Sequence, residues 1–99
     1  MRDLELILNK LRKDKIEKIL SNVSGAEVAS LFAYVDNQPE NTFKNTYVDF
    51  ETRSNKDRYD ILKVLVNRHK EYCGEVNYQK ERLFDKVYAT IFQIEGINY

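Results

Sequence analysis

Apolar residues recur three and four positions apart along nearly the whole of this chain, and only one proline interrupts it. That period matches one face of an α-helix, so most of the chain is expected to be helical. Leu4, Ile7, Leu8 and Leu11 begin the pattern, and Ile16, Ile19, Leu20 and Val23 resume it. The step from Leu11 to Ile16 rotates the stripe by roughly 140°. Either one bent helix presents two faces, or the helix breaks near Asp14, where Asp14-x-x-Glu17 has a capping pattern. One bent helix is the preferred reading.

Ser24-Gly25-Ala26-Glu27 has the form of a capping box, with Val23 and Val28 at the two positions of a hydrophobic staple. The helix it opens carries Val28, Leu31, Phe32 and Val35 on one face, and Asp36-Asn37-Gln38-Pro39 ends it. Residues 40–54 are ambiguous. Phe43, Tyr47 and Phe50 keep helical spacing, while Val48, Phe50 and Thr52 alternate as a strand would. A short helix is the preferred reading, although Asn41, Thr42, Asn45 and Thr46 are poor helix formers.

Ser54-x-x-Asp57 starts the next helix, which carries Leu62, Leu65, Val66, His69 and Cys73 and is expected to stop at Gly74. Val76-Asn77 opens the last helix, with Phe84, Val87, Tyr88, Ile91 and Phe92 on its stripe. Gly96 is expected to end it, with Ile97 folding back on Ile91 or Phe92. The short connection at 74–77 implies antiparallel neighbours. The expected fold is therefore all-α: a small four- to five-helix bundle with a C-terminal antiparallel helix hairpin. It forms a single helical domain over residues 1–99, the size of one domain.

The chain is poor in reactive groups. It has one histidine, one cysteine and no tryptophan. His69 and Cys73 stand one turn apart, but a metal site needs three or four ligands, and a nucleophile needs a positioned base and an orienting third group. The preferred reading places both at the edge of a helix interface, with Cys73 as a small buried hydrophobe. A lone cysteine excludes an internal disulfide and fits a reducing, cytoplasmic location. Met1-Arg2-Asp3-Leu4-Glu5 lacks a signal pattern, and the longest apolar run, Leu31 to Val35, is far too short for a bilayer. No membrane partner, no catalytic residues, no metal and no cofactor are expected.

The segment Tyr47-Val48-Asp49-Phe50-Glu51-Thr52-Arg53-Ser54 contains an Asp-x-Glu. Over these eight residues it resembles the first motif of the proofreading-type 3′–5′ exonuclease family. The resemblance implies that Asp49 and Glu51 bind catalytic metal ions. That family surrounds its metals with a mixed sheet and further carboxylates, whereas Asp57, Asp60 and Asp85 here fall in helical patterns.

Sixteen basic residues balance sixteen acidic ones, so the whole chain exerts no general pull on nucleic acid or anionic lipid. A helix-turn-helix over residues 24–52 is the alternative function, a DNA-binding regulator. Its recognition helix at 41–52 would present Asn41, Thr42, Lys44 and Asn45 to DNA. Residues 23–54 count against it, with two basic residues facing five acidic ones. The seven tyrosines favour a protein partner, because tyrosine combines contact area with a polar tip. Tyr34, Tyr47, Tyr78 and Tyr99 are the expected contacts. The expected function is a non-enzymatic protein-binding module acting by occlusion, as small inhibitors, immunity proteins, antitoxins and assembly adaptors do. A phage or mobile-element source is compatible with the composition, and the spare apolar face also allows a homo-dimer.

Overall fold

The computed structural model describes residues 2–97, with side chains from Leu4 onward. Four α-helices pack together: α1 (Arg2–Leu20), α2 (Gly25–Val35), α3 (Asn55–Lys70) and α4 (Tyr78–Ile97). No strand occurs among the described residues. The molecule is long, 54 × 25 × 18 Å, with a radius of gyration of 15.1 Å. A compact chain of this length would have about 13 Å. α1 accounts for the excess.

α1 is one unbroken helix, so Asp14 does not divide it. Its two apolar faces have different fates. Ile16, Ile19 and Leu20 pack on the core. Every residue from Leu4 to Lys15 is exposed. Asn55 Nδ2 donates to Lys13 O at 3.2 Å, so the free arm is Leu4–Arg12, about 14 Å long at 1.5 Å per residue. The stripe of Leu4, Ile7, Leu8 and Leu11, expected in the core, is uncovered because this part of α1 reaches past the body on all its faces; it also lies roughly 120° around the helix from the face that docks farther along.

α2 starts as expected. The Ser24 side chain accepts from the Glu27 N–H at 3.1 Å, and the Glu27 carboxylate accepts from the Ser24 N–H at 3.0 Å. The helix ends in a Schellman turn. Asn37 N–H donates to Tyr34 O at 3.2 Å and Gln38 N–H to Ala33 O at 2.8 Å. Asn37 takes a left-handed φ of 54°, which asparagine tolerates better than most side chains. This turn, rather than Pro39, terminates the helix.

The expected helix over 40–54 does not form. Residues 40–49 are successive turns, followed by one 3-10 turn at Phe50–Thr52. The apolar spacing still reports contacts correctly. Phe43 and Tyr47 are half-buried, Phe50 is fully buried, and Tyr47 stacks on Phe32 at 5.0 Å. Asn- and Thr-rich stretches lack the propensity to propagate a helix, so packing alone sets their path.

α3 is capped by Ser54, whose side chain accepts from the Asp57 N–H at 3.2 Å. It ends at Lys70, short of Gly74, so Tyr72 and Cys73 lie in the loop 71–77. Gly74 does not adopt positive φ; it makes room for the Tyr72 ring, whose hydroxyl donates to Glu75 O at 2.8 Å. Asn77 caps α4 by accepting from the N–H groups of Gln79 and Lys80 at 3.0 and 3.2 Å. α4 runs through Gly96 to Ile97, so the expected stop and fold-back are absent. Phe92, expected on the packed stripe, is 79% exposed.

Arg58 is the anomaly of the core. It is 5% exposed, donates to Asn55 Oδ1 at 2.9 Å, and leaves its Nε without a partner. No carboxylate among the described residues pairs with it. A buried charge so poorly compensated costs stability. Arg58→Met is expected to raise stability by about 1 kcal/mol, read as a higher midpoint in urea unfolding.

Candidate functional site

The expected tyrosine contacts do not form one exposed patch. Tyr34 is half-buried, with its ring 4.6 Å from Tyr72 and 6.3 Å from Phe84. Its hydroxyl donates to Glu81 Oε2 at 2.9 Å and accepts from the Asn77 N–H at 3.2 Å. Burial and the nearby Glu81 carboxylate raise this phenol above its ordinary value, so it remains a donor. Tyr47 is held against Phe32. Tyr78 is 79% exposed at the start of α4. Tyr99 lies outside the described residues.

Tyr34 and Tyr72 form one wall of a cleft of about 500 Å³ between the end of α2 and the loop before α4. Asn37, Gln38, Val76 and Lys80 complete it, and its walls are mainly polar. Lys80 bridges the cleft rim. Its ammonium contacts Ser30 Oγ and donates to Glu40 Oε1 at 2.9 Å, while Ser30 Oγ donates to the same carboxylate at 2.6 Å. A second bridge joins Lys86 to Glu27 at 2.7 Å.

Both carboxyls are shifted. Burial pushes Glu27 up, but hydrogen bonds from Lys86 and Ser24 outweigh it and hold the group below its ordinary value. Hydrogen bonds from Ser30 and Lys80 lower Glu40. A depressed carboxyl contributes stability above its unfolded pKa and loses it as pH falls through the folded pKa. Thermal stability is therefore expected to decline as pH drops below about 4.5. The Glu27→Gln, Glu40→Gln double variant is expected to show a flatter profile in melts between about pH 5 and 3.

His69 and Cys73 are not a pair. His69 lies in α3, stacked on Phe84 at 3.8 Å, whereas Cys73 is exposed in the following loop, contrary to the expected burial. His69 Nε2 lies 3.0 Å from Glu81 Oε1. A carboxylate offers only acceptors, so Nε2 donates, and Nδ1 faces the Tyr88 hydroxyl at 3.0 Å. Both ring nitrogens are thus occupied by groups that tie α3 to α4.

Asp49 and Glu51 also serve local structure. Arg53 Nε donates to Asp49 Oδ1 at 3.1 Å. Glu51 Oε1 accepts from the Gly25 N–H at 2.5 Å and so caps the start of α2 from a distant segment. Among the described residues, no three His, Cys, Asp or Glu side chains are grouped to hold a metal. The strand implied by the exonuclease resemblance is absent. Asn41, Thr42, Lys44 and Asn45 are exposed, but on turns; the regular recognition helix expected at 41–52 is not there.

The arm carries several exposed apolar residues close together. Leu4 is 55% exposed, Ile7 55%, Leu8 42% and Leu11 58%, all on one face of α1. Leucine and isoleucine usually lie inside, and scattered exposed ones are ordinary, but these four are contiguous. At 100° per residue, Glu5 and Arg12 flank it on one side and Lys10 and Asp14 on the other. The spacing of these residues was visible in the sequence. The five-residue step to Ile16 shows that α1 has two apolar faces, but not which of them is covered.

Comparison of the chain with protein-family models, curated proteins and solved structures gave no match. No helix among the described residues is long and apolar enough to cross a membrane.

Proposed function

We propose that this chain is a protein-binding module that acts by contact, occluding the surface it covers, in the manner of a small inhibitor, immunity protein, antitoxin or assembly adaptor. The observation that carries this reading is the uncovered stripe of Leu4, Ile7, Leu8 and Leu11 on the first part of a helix whose last part packs on the body. Its exposed side chains present on the order of 350 Å², worth about 9 kcal/mol gross when covered, before the costs of association. An amphipathic helix laid against a complementary surface is a recurrent mode of protein recognition.

The body supplies rigidity. Contacts between α3 and α4 pair Tyr59 with Glu95, Val66 with Tyr88 and His69 with Glu81, which supports an antiparallel arrangement of these helices. The unpaired thiol of Cys73 suits a reducing, cytoplasmic setting.

The test is affinity capture from a native lysate with two baits, the natural chain and the Ile7→Glu, Leu11→Glu variant. The reading expects a protein retained by the first and reduced at least tenfold on the second. Equal capture by both, or none by either, contradicts it. Retardation of mixed-sequence DNA at low salt would instead support the nucleic-acid alternative over residues 24–52.

A further inference from the structure

We infer that the apolar face of the α1 arm is covered by the same face of a second copy of this chain, the two arms pairing antiparallel. This rests on the reading of the arm as a protein-contact surface and names its occupant. Two features support it.

The first is the symmetry of the stripe. Leu4, Ile7, Leu8 and Leu11 are spaced evenly about the point between Ile7 and Leu8. A two-fold axis there sets Leu4 against the second copy's Leu11, and Ile7 against its Leu8. The patch is therefore self-complementary, as an isologous contact requires.

The second is charge. At 100° per residue, Glu5 and Arg12 lie on the same flank of the stripe, roughly 20° apart. In an antiparallel pair like flanks meet, so Glu5 of each copy comes opposite Arg12 of the other, twice per dimer. A parallel pair would instead crowd two bodies at one end of helices only about 8–10 Å apart, in a molecule whose lesser extents are 25 and 18 Å.

The area sets how firmly the pair holds. Pairing the stripes removes on the order of 700–800 Å² from water in total, below the roughly 1,200 Å² of a standard stable interface. The dimer is thus reversible and depends on concentration.

Sedimentation velocity on the purified full chain, from about 10 µM to about 1 mM, tests this over the range expected for so small an interface. The average mass is expected to rise from 11.8 kDa toward twice that value. The Ile7→Glu, Leu11→Glu variant is expected to stay monomeric with an unchanged circular dichroism spectrum, since both side chains are exposed in the monomer. Glu5→Lys and Arg12→Glu are each expected to weaken association several-fold, and their equimolar mixture to restore it, because only the mixed pair has opposite charges on both contacts. A monomer at every concentration, association that survives the double glutamate variant, or a mixture no better than its components overturns the inference. A monomeric chain whose arm still captures a different protein overturns the second copy as occupant and leaves the contact reading standing. A monomeric chain that captures nothing overturns both.

Discussion

Replacing Gly25 with valine is expected to destabilise the fold by about 3 kcal/mol, and the melting temperature to fall by about 15 °C. Gly25 is buried where α2 begins. A β-carbon there would land on the Tyr47 carbonyl oxygen and then meet the Phe50 β-carbon at 3.0 Å. The Tyr47 carbonyl has little freedom to retreat, because it accepts the Phe50 N–H at 3.1 Å. The approach is close because Glu51 reaches across to accept the Gly25 N–H. Glycine is required here for space, since its φ is not positive. Gly96→Ala is the matched control: it lies in α4 with nothing within 4 Å of an added β-carbon, and its stability is expected to hold or rise. Thermal unfolding of both variants checks the contrast.

Phe84→Ala is expected to cost about 4 kcal/mol. Phe84 is fully buried, and its ring lies against His69 at 3.8 Å, Tyr34 at 6.3 Å and Tyr88 at 6.5 Å. The cavity would undermine the platform on which His69 bridges Glu81 and Tyr88, so loss of packing and loosening of α3 from α4 go together. Phe92→Ala, two turns along the same helix, removes a ring that is 79% exposed and is expected to change stability by about 0.5 kcal/mol or less. Chemical denaturation of the two variants side by side reads the difference.

Phe84 and Phe92 also show how far the sequence could be read. Helical spacing marked both as members of one stripe, yet only tertiary packing decides which part of a wide stripe is covered. The same limit applies to α1. Its apolar residues were identified correctly, but a small body can cover only one of the two faces, and Ile16, Ile19 and Leu20 secured it. Local signals fared better. The capping box at Ser24 and the cap at Ser54 involve partners three residues away, so the sequence contains the whole interaction. Glu51 caps the same helix as Ser24 from 26 residues away, which no local pattern discloses. Around residue 43 the spacing located the buried side chains without determining backbone form, because turns and helices bring similar positions to one face.

The candidate contacts divide in the same way. Tyrosine content suggested a protein-facing surface, but Tyr34 and Tyr47 turned inward, where burial and neighbouring rings use them. Leu4, Ile7, Leu8 and Leu11 took the exposed place expected of the tyrosines. Hydrophobicity alone sends such residues to the core, so their exposure became visible only with the orientation of α1.

Urea unfolding of the Ile7→Glu, Leu11→Glu variant at high dilution tests most directly whether this face serves contact rather than folding. With the face uncovered, the midpoint is predicted to match that of the natural chain to within about 0.5 kcal/mol. A loss of several kcal/mol would place these side chains in the core and contradict the account.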